Sequence, residues 1–415
     1  MPELFPDTTS VENGEIHVGG MRLTALAEEH GTPLLVLCER TLRARAQAYR
    51  AAAPDALVVY GTKAFPNVAV LRALAAEGLG ADVSTLGELR FALAAGVAGK
   101  RLVVHGNNKD DEELAEAARV GALVVVDSLD EVPRAQRAGV ERTLVRVTLG
   151  VEADTHESIR TGHVGSKFGL PPTQALEAIE RLRPLGLHVH IGSQLTSAEA
   201  ARETIDRLAS FAAECRDELG WLAQVVDLGG GLAVRTSPDD PAPPPVAEFV
   251  RSLLEQVEPA WRARGLPAPR LILEPGRSLV GPAGVTLYRV GLVKRADESV
   301  TYAAIDGGMS DNPRPQLYGA RYTALLANRA DEPPSGTFRI AGKHCESGDV
   351  LIDRVELPEP VRGDLLAVPA SGAYTLAMAS NYNGVPRPAA VLVAEGRSRL
   401  ARRRETVDDL LLLED

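Results

Sequence analysis

Cysteine is scarce and unpatterned in this 415-residue sequence: Cys38, Cys215 and Cys345 are odd in number and far apart. That excludes a disulfide framework and metal-ligand spacing, and it fits reduced thiols in a cytoplasmic protein with no metal. Positive charge is also in deficit, with a net charge of −11. A nucleic-acid partner needs a basic face, so none is expected. The one basic run, Arg402, Arg403 and Arg404, lies among acids and reads as a solvated helix face. No apolar stretch approaches the ~20 residues of a membrane span. The first ten residues are acidic and proline-bearing, with no apolar signal core. Aromatic residues make up only 4 %, so a core must be built from Leu, Val and Ala. Hydrophobic (45 %) and charged (24 %) content is ordinary for a soluble globular chain long enough for two domains.

What is present is a strand–helix alternation. Short Val/Ile/Leu-rich runs occur at 57–60, 80–84, 102–105, 123–126, 144–148, 187–190, 225–228 and 271–274. Segments 68–77, 112–120 and 175–182 between them carry Ala and Leu at helical spacing. Thr85 with Glu88 reads as a capping box, and Asp110 to Glu113 puts acids in a first helical turn. Eight such units predict an α/β fold, a (β/α)8 TIM-like barrel. A doubly wound sheet is the rival. The barrel is preferred because polar groups gather where the runs end: Lys63, Asp82 with Ser84, His105, Asp127, Arg146, His190, Asp227 and Glu274. After about residue 281 the pattern turns to strands at 284–293, 301–306, 337–341 and 389–395. We therefore expect a barrel over 35–281. A β-sandwich or β-barrel domain would take 282–415 together with 1–34, where 14–18 adds a strand. The Pro/Asp-rich stretch 237–245 reads as a surface loop.

Several motifs carry chemistry, and each has a plain structural alternative. Lys63, just past the first run, can form a Schiff base if burial strips its proton; it can equally be a surface lysine. His190, in His190-Ile191-Gly192-Ser193, can stack on a flat ring, with Ser193 meeting a phosphate, or it can be a satisfied core histidine. Gly229, Gly230 and Gly231 let backbone N–H groups approach an anion, though glycine triplets are often only turns. Glu274, in Glu274-Pro275-Gly276-Arg277, can keep a pyridine nitrogen protonated, and Arg277 offers a fork for phosphate or carboxylate; a structural ion pair is the alternative. Cys345, followed by Glu346, can return a proton to a carbanion, or it can be an inert buried thiol.

Together these motifs resemble the fold-type III pyridoxal 5'-phosphate (PLP) decarboxylases, most closely the diaminopimelate decarboxylase family. The resemblance runs in order along nearly the whole chain. It passes through Tyr60-Gly61-Thr62-Lys63-Ala64, Thr155-His156, Ser166-Lys167-Phe168-Gly169, His190-Ile191-Gly192-Ser193, the three glycines and Glu274-Pro275-Gly276-Arg277. It continues through Asp306-Gly307-Gly308-Met309, Arg314-Pro315 with Tyr318, Cys345-Glu346-Ser347-Gly348-Asp349, Gly372-Ala373-Tyr374 and Asn381-Tyr382-Asn383.

The resemblance implies roles. Lys63 would carry PLP, Glu274 would bond its pyridine nitrogen, and His190 would stack on its ring. Ser193, Gly229, Gly230, Gly231, Gly276, Arg277 and Tyr374 would hold or flank the phosphate. Arg277, Arg314, Tyr318 and Tyr374 would bind substrate, with Glu346 taking a distal ammonium and Cys345 donating the proton. Cys345 and Glu346 would come from the neighbouring subunit of a homodimer with shared sites. The implied reaction converts meso-2,6-diaminopimelate to L-lysine and CO2, the last step of lysine biosynthesis. Relatives acting on ornithine, lysine, arginine or carboxynorspermidine, and a catalytically silent PLP-binding homologue, are the alternatives. Arg314 favours the diacid, because a guanidinium clamps a distal carboxylate and repels a lone distal ammonium.

Overall fold

The computed structural model describes residues 2–150, 166–298, 300–412 and 414, and the chain divides into two compact units. One unit comprises Arg45–Ala233 and Ala242–Ser278. It is a closed barrel of eight parallel strands: β1 (Leu57–Gly61), β2 (Gly80–Val83), β3 (Leu102–Val104), β4 (Leu123–Val126), β5 (Thr143–Arg146), β6 (Gly186–His188), β7 (Val225–Asp227) and β8 (Arg270–Leu273). Strand β8 pairs with β1, Ile272 opposite Leu57, which closes the ring. Helices cover the outside, so the strands are buried on both faces and read as unbroken apolar runs: all four residues of β4 are buried. Val59, Val103, Leu123, Val125, Leu144, Val225 and Ile272 form one core cluster.

Local signals set where the helices begin. Asn67 Oδ1 accepts the N–H groups of Ala69 and Val70 at the head of helix Val68–Ala76. A full capping box joins Asp110 and Glu113 ahead of helix Asp111–Val120. At Thr85 only half of the expected box forms. Its side chain accepts the Glu88 N–H, but the Glu88 carboxylate reaches one residue further back, to the Ser84 N–H at 2.7 Å.

The other unit comprises Met1–Ala44, Val234–Pro241 and Leu279–Asp415, and its main feature is a nine-stranded mixed sheet. Its long strand Gly284–Arg295 pairs with Leu34–Cys38, Thr301–Ile305 and Leu365–Pro369. Leu34–Cys38 lies between that strand and Ala389–Ala394, so residues 35–44 fall in this unit, although the sequence pattern had suggested a barrel starting at 35. Segment Glu15–Val18 is a strand, but of a separate three-stranded sheet. Ile16 N–H donates to the Ala327 carbonyl, tying it in. The run at Arg402 is not a helix face. Arg397–Arg402 is a strand paired with Ala389–Ala394, and Arg403 and Arg404 follow it in coil. Among the described residues no helix is long and apolar enough to cross a membrane.

Candidate active site

The polar groups at the C-terminal ends of the barrel strands converge. Lys63 stands in the 3-10 turn Thr62–Ala64 directly after β1, and its Nζ lies 3.4 Å from Asp82 Oδ2 on β2. The burial expected to strip the Lys63 proton is not seen: its side chain is 51 % exposed, against 1 % for Asp82. Burial pushes the Asp82 carboxyl up, with the Lys63 ammonium opposing.

Glu274 follows β8 and is anchored from both sides. Its N–H donates to the Gly229 carbonyl at 2.8 Å, and Gly61 N–H donates to the Pro275 carbonyl at 3.1 Å. Its Oε1 accepts the His105 Nε2–H at 2.6 Å, and His188 Nε2 lies 3.9 Å from Oε2. Burial alone would raise the Glu274 pKa, but the two imidazoles hold it well below the usual carboxylate range. Asp227 goes the other way, pushed well above its ordinary value by burial and by the Glu274 charge. Burial also drives His188 well down, so that ring is neutral. The result is a buried Glu274 anion that accepts from His105, with a protonated Asp227 and a neutral His188 beside it.

His105, His188, Asp227 and Glu274 present ligand atoms within 4.8 Å of one another, which raises the question of a metal. Donors around a tetrahedral ion sit roughly 3.4 Å apart for bonds near 2.1 Å. The outer spacing here is wider, and Glu274 Oε1 is already engaged by His105. The group reads as a hydrogen-bonded network rather than a metal centre.

A backbone cradle lies beside it. Gly229 (φ 69°) and Gly231 (φ 133°) occupy backbone that favours glycine, and a Cβ on Gly231 would come within 2.8 Å of the Gly192 carbonyl oxygen. A Cβ on Gly230 would run into the Glu274 carbonyl, and one on Gly276 would sit 3.0 Å from the Gly61 oxygen. Loops after β1, β6, β7 and β8 thus pack backbone to backbone, a surface suited to an oxyanion such as phosphate. His190 Nδ1 accepts the Gly192 N–H at 3.0 Å, which puts its own proton on Nε2. Burial and the nearby Lys63 and Arg146 cations push His190 down to about 3, so it is a neutral, flat ring at physiological pH. These residues fit a planar, phosphate-bearing cofactor: an amine to attach it, a carboxylate for a ring nitrogen, a neutral ring to stack on it and a glycine cradle. Ser193 and Arg277 lie in the same barrel unit.

The remaining residues singled out in the sequence belong to the β unit. Arg314 opens the short helix Arg314–Tyr318 and is only 6 % exposed. Its Nη1 donates to the Tyr322 hydroxyl at 2.5 Å, while Nε is buried without a partner. No carboxylate among the described residues pairs with it, an unusual state for a buried guanidinium. Tyr318 ends that helix, half-buried. Cys345 and Glu346 are exposed on a loop held from beneath. Cys345 N–H donates to Asn383 Oδ1 at 2.9 Å, and buried Asp349 accepts from Met309 N–H and from both His344 N–H and Nδ1–H. The inert buried thiol considered for Cys345 is therefore excluded, whereas Cys38 and Cys215 are buried. Tyr374 adopts φ 58°, a strained backbone for a non-glycine residue. The Thr155-His156 motif lies outside the described residues.

Two residues of these constellations escaped the sequence reading. His188 lies two positions before His190, and period-two alternation puts both on one strand face; that spacing was the available signal. Tyr322 meets Arg314 across a turn of eight residues, for which no local pattern exists.

Comparison with known proteins agrees with this arrangement. Residues 39–281 match the pyridoxal-binding domain of the pyridoxal-dependent decarboxylases. The chain is 45 % identical to diaminopimelate decarboxylase of Mycobacterium tuberculosis, covering 100 % of this chain and 98 % of that one. It is 42 % identical to that of Bacillus subtilis, covering 99 % and 98 %. Among solved structures, diaminopimelate decarboxylase from M. jannaschii in complex with L-lysine superposes with a TM-score of 0.89 at 32 % identity, covering 99 % and 98 %. A lysine/ornithine decarboxylase from Vibrio vulnificus bound to putrescine gives 0.75 at 27 %, covering 90 % and 97 %.

Proposed function

The chain belongs to the pyridoxal-dependent decarboxylases, in the diaminopimelate decarboxylase family, and from that premise we propose that it converts meso-2,6-diaminopimelate to L-lysine and CO2. The observation that carries the substrate assignment is Arg314, a buried cation that no carboxylate among the described residues pairs with. A distal carboxylate supplies the missing charge; the lone distal ammonium of ornithine or lysine does not.

Within this reading Lys63 is the attachment amine and later the acceptor that frees the product. PLP, when bound, supplies the electron sink that takes up the pair left as CO2 departs. Glu274, held ionised, keeps a proton on the ring nitrogen. Neutral His190 stacks without adding charge, and the N–H groups of Gly229, Gly230, Gly231 and Gly276, with Ser193, Arg277 and Tyr374, receive the phosphate. Arg314, Tyr318 and Arg277 grip the distal carboxylate, and Glu346 takes the distal ammonium. Cys345 returns a proton to the α-carbon. Exposure of both Cys345 and Glu346 supports their entry into the site of a second subunit, hence a homodimer with shared sites. The barrel unit, Arg45–Ala233 with Ala242–Ser278, is then the PLP-binding part, and the β unit is the part that contributes substrate and dimer contacts. We place the enzyme in the cytoplasm. The test is to incubate the purified protein with PLP and meso-diaminopimelate and measure L-lysine and CO2. Equimolar products are expected; no turnover would remove the assignment.

A further inference from the structure

His105 has no part in the roles above, yet it makes the shortest polar contact to the carboxylate on which they depend. We propose that His105 is a positioning residue for the decarboxylation, holding Glu274 as an oriented carboxylate against the cofactor ring nitrogen; this rests on the PLP reading above. His105 Nε2–H donates to Glu274 Oε1 at 2.6 Å, with side chains 8 % and 4 % exposed. A charge-assisted hydrogen bond buried this deeply both orients its acceptor and favours the acceptor's ionised form.

The surroundings fit a built device. His105 N–H donates to the Val83 carbonyl at 2.8 Å, fixing the backbone at the end of β3. The next residue, Gly106, is pinned through its carbonyl by Lys109 Nζ at 2.7 Å. That ammonium, itself buried, also donates to the Val125 carbonyl and to Glu131 Oε1, both at 2.7 Å. The imidazole meets the His188 ring edge-on with centroids 4.8 Å apart, which limits its rotation. The other titratable groups facing it among the described residues are Asp82, whose Oδ1 lies 3.8 Å from Nε2, His190 and the Glu274–Asp227 pair. Of the two imidazoles beside Glu274, His105 is within direct hydrogen-bond reach, while His188 is 3.9 Å away. Without His105, burial would favour a protonated Glu274, with Asp227 and His188 left to oppose it, and a protonated Glu274 could no longer hold a pyridinium N–H.

The test compares His105→Leu, which removes the donor, with His105→Gln, which keeps an N–H near the Nε2 position. Each holoenzyme is measured for the visible absorbance band of lysine-bound PLP, PLP affinity, kcat and KM across pH, and Tm. For His105→Leu the band persists at saturating PLP, because Lys63 is intact. PLP affinity falls about tenfold and kcat about ten- to a hundredfold, the range for a hydrogen bond to a charged group. KM stays within about threefold, and the acid limb of kcat moves to higher pH. His105→Gln recovers most of both losses. Wild-type affinity, kcat and acid limb in His105→Leu would overturn the proposal, as would equal losses in both variants that track a fall in Tm. A wild-type protein that forms no lysine-bound band would instead remove the PLP reading itself, and this proposal with it.

Discussion

Replacing Arg314 with Met tests the specificity of the site most sharply. Met keeps the apolar stem and removes the guanidinium. The loss in the folded protein is modest, because no carboxylate among the described residues is left stranded: what is given up is the hydrogen bond to the Tyr322 hydroxyl at 2.5 Å and the guanidinium's contact with the Tyr322 ring. Stability should change by no more than about 1 kcal/mol. The loss in substrate binding is larger. A hydrogen-bonded cation facing a carboxylate in a buried site contributes about 1.5–3 kcal/mol, which converts to a fall in kcat/KM of roughly 10- to 200-fold for meso-diaminopimelate. L-Lysine lacks the distal carboxylate, so its slow turnover should not fall and should rise if the guanidinium repels its ammonium. The assay is CO2 release from both substrates, with Tm alongside. Unchanged kcat/KM for the diacid, or equal losses for both substrates, would refute the clamp.

Other perturbations read separate parts of the account. Lys63→Ala should abolish the visible absorbance of lysine-bound PLP, and a surviving band would rule out Lys63 as the attachment point. Gly230→Ala drives a methyl group into the Glu274 carbonyl; PLP occupancy should fall and the holoprotein lose about 1–3 kcal/mol, measured by absorbance and chemical denaturation. Tyr322→Phe should raise KM for meso-diaminopimelate several-fold and leave kcat within about twofold, since it loosens Arg314 without touching the reacting atoms. Glu88 is pushed up to about 7, chiefly by burial, with the Ser84 N–H opposing. The folded protein therefore holds a proton that the unfolded chain releases near pH 4.5. Stability should fall as pH rises from about 4.5 to 7, by up to about 3 kcal/mol. Glu88→Gln should flatten that slope, as followed by urea denaturation at several pH values.

The barrel was legible because its strands are buried on both faces. Parallel strands under helices read as apolar runs, and all eight were located within a residue or two of their observed ends. Strand-end polar residues were legible for the same reason: the run stops where the chain reaches the mouth. The β unit was harder. Strand Leu34–Cys38 finds its partners some 250 and 355 residues later, in Gly284–Arg295 and Ala389–Ala394; nothing local announces such pairing. Arg397–Arg402 lies at the sheet edge with every residue exposed or half-buried, so its charges masked a strand as a helix face. In the site, residue types announced the cofactor chemistry, but the pairings are set by the fold. His105 was visible as a strand-end histidine; that it bonds Glu274, and that Arg314 is buried without an anion among the described residues, follows from the fold.

The measurement closest to the central claim is a comparison of kcat/KM for CO2 release from meso-diaminopimelate, ornithine, lysine and arginine with the PLP-loaded enzyme. The account predicts that meso-diaminopimelate exceeds each monocarboxylate by at least about a hundredfold, the upper part of what one buried charge-assisted contact provides. A preference for any of the three monocarboxylates would contradict it.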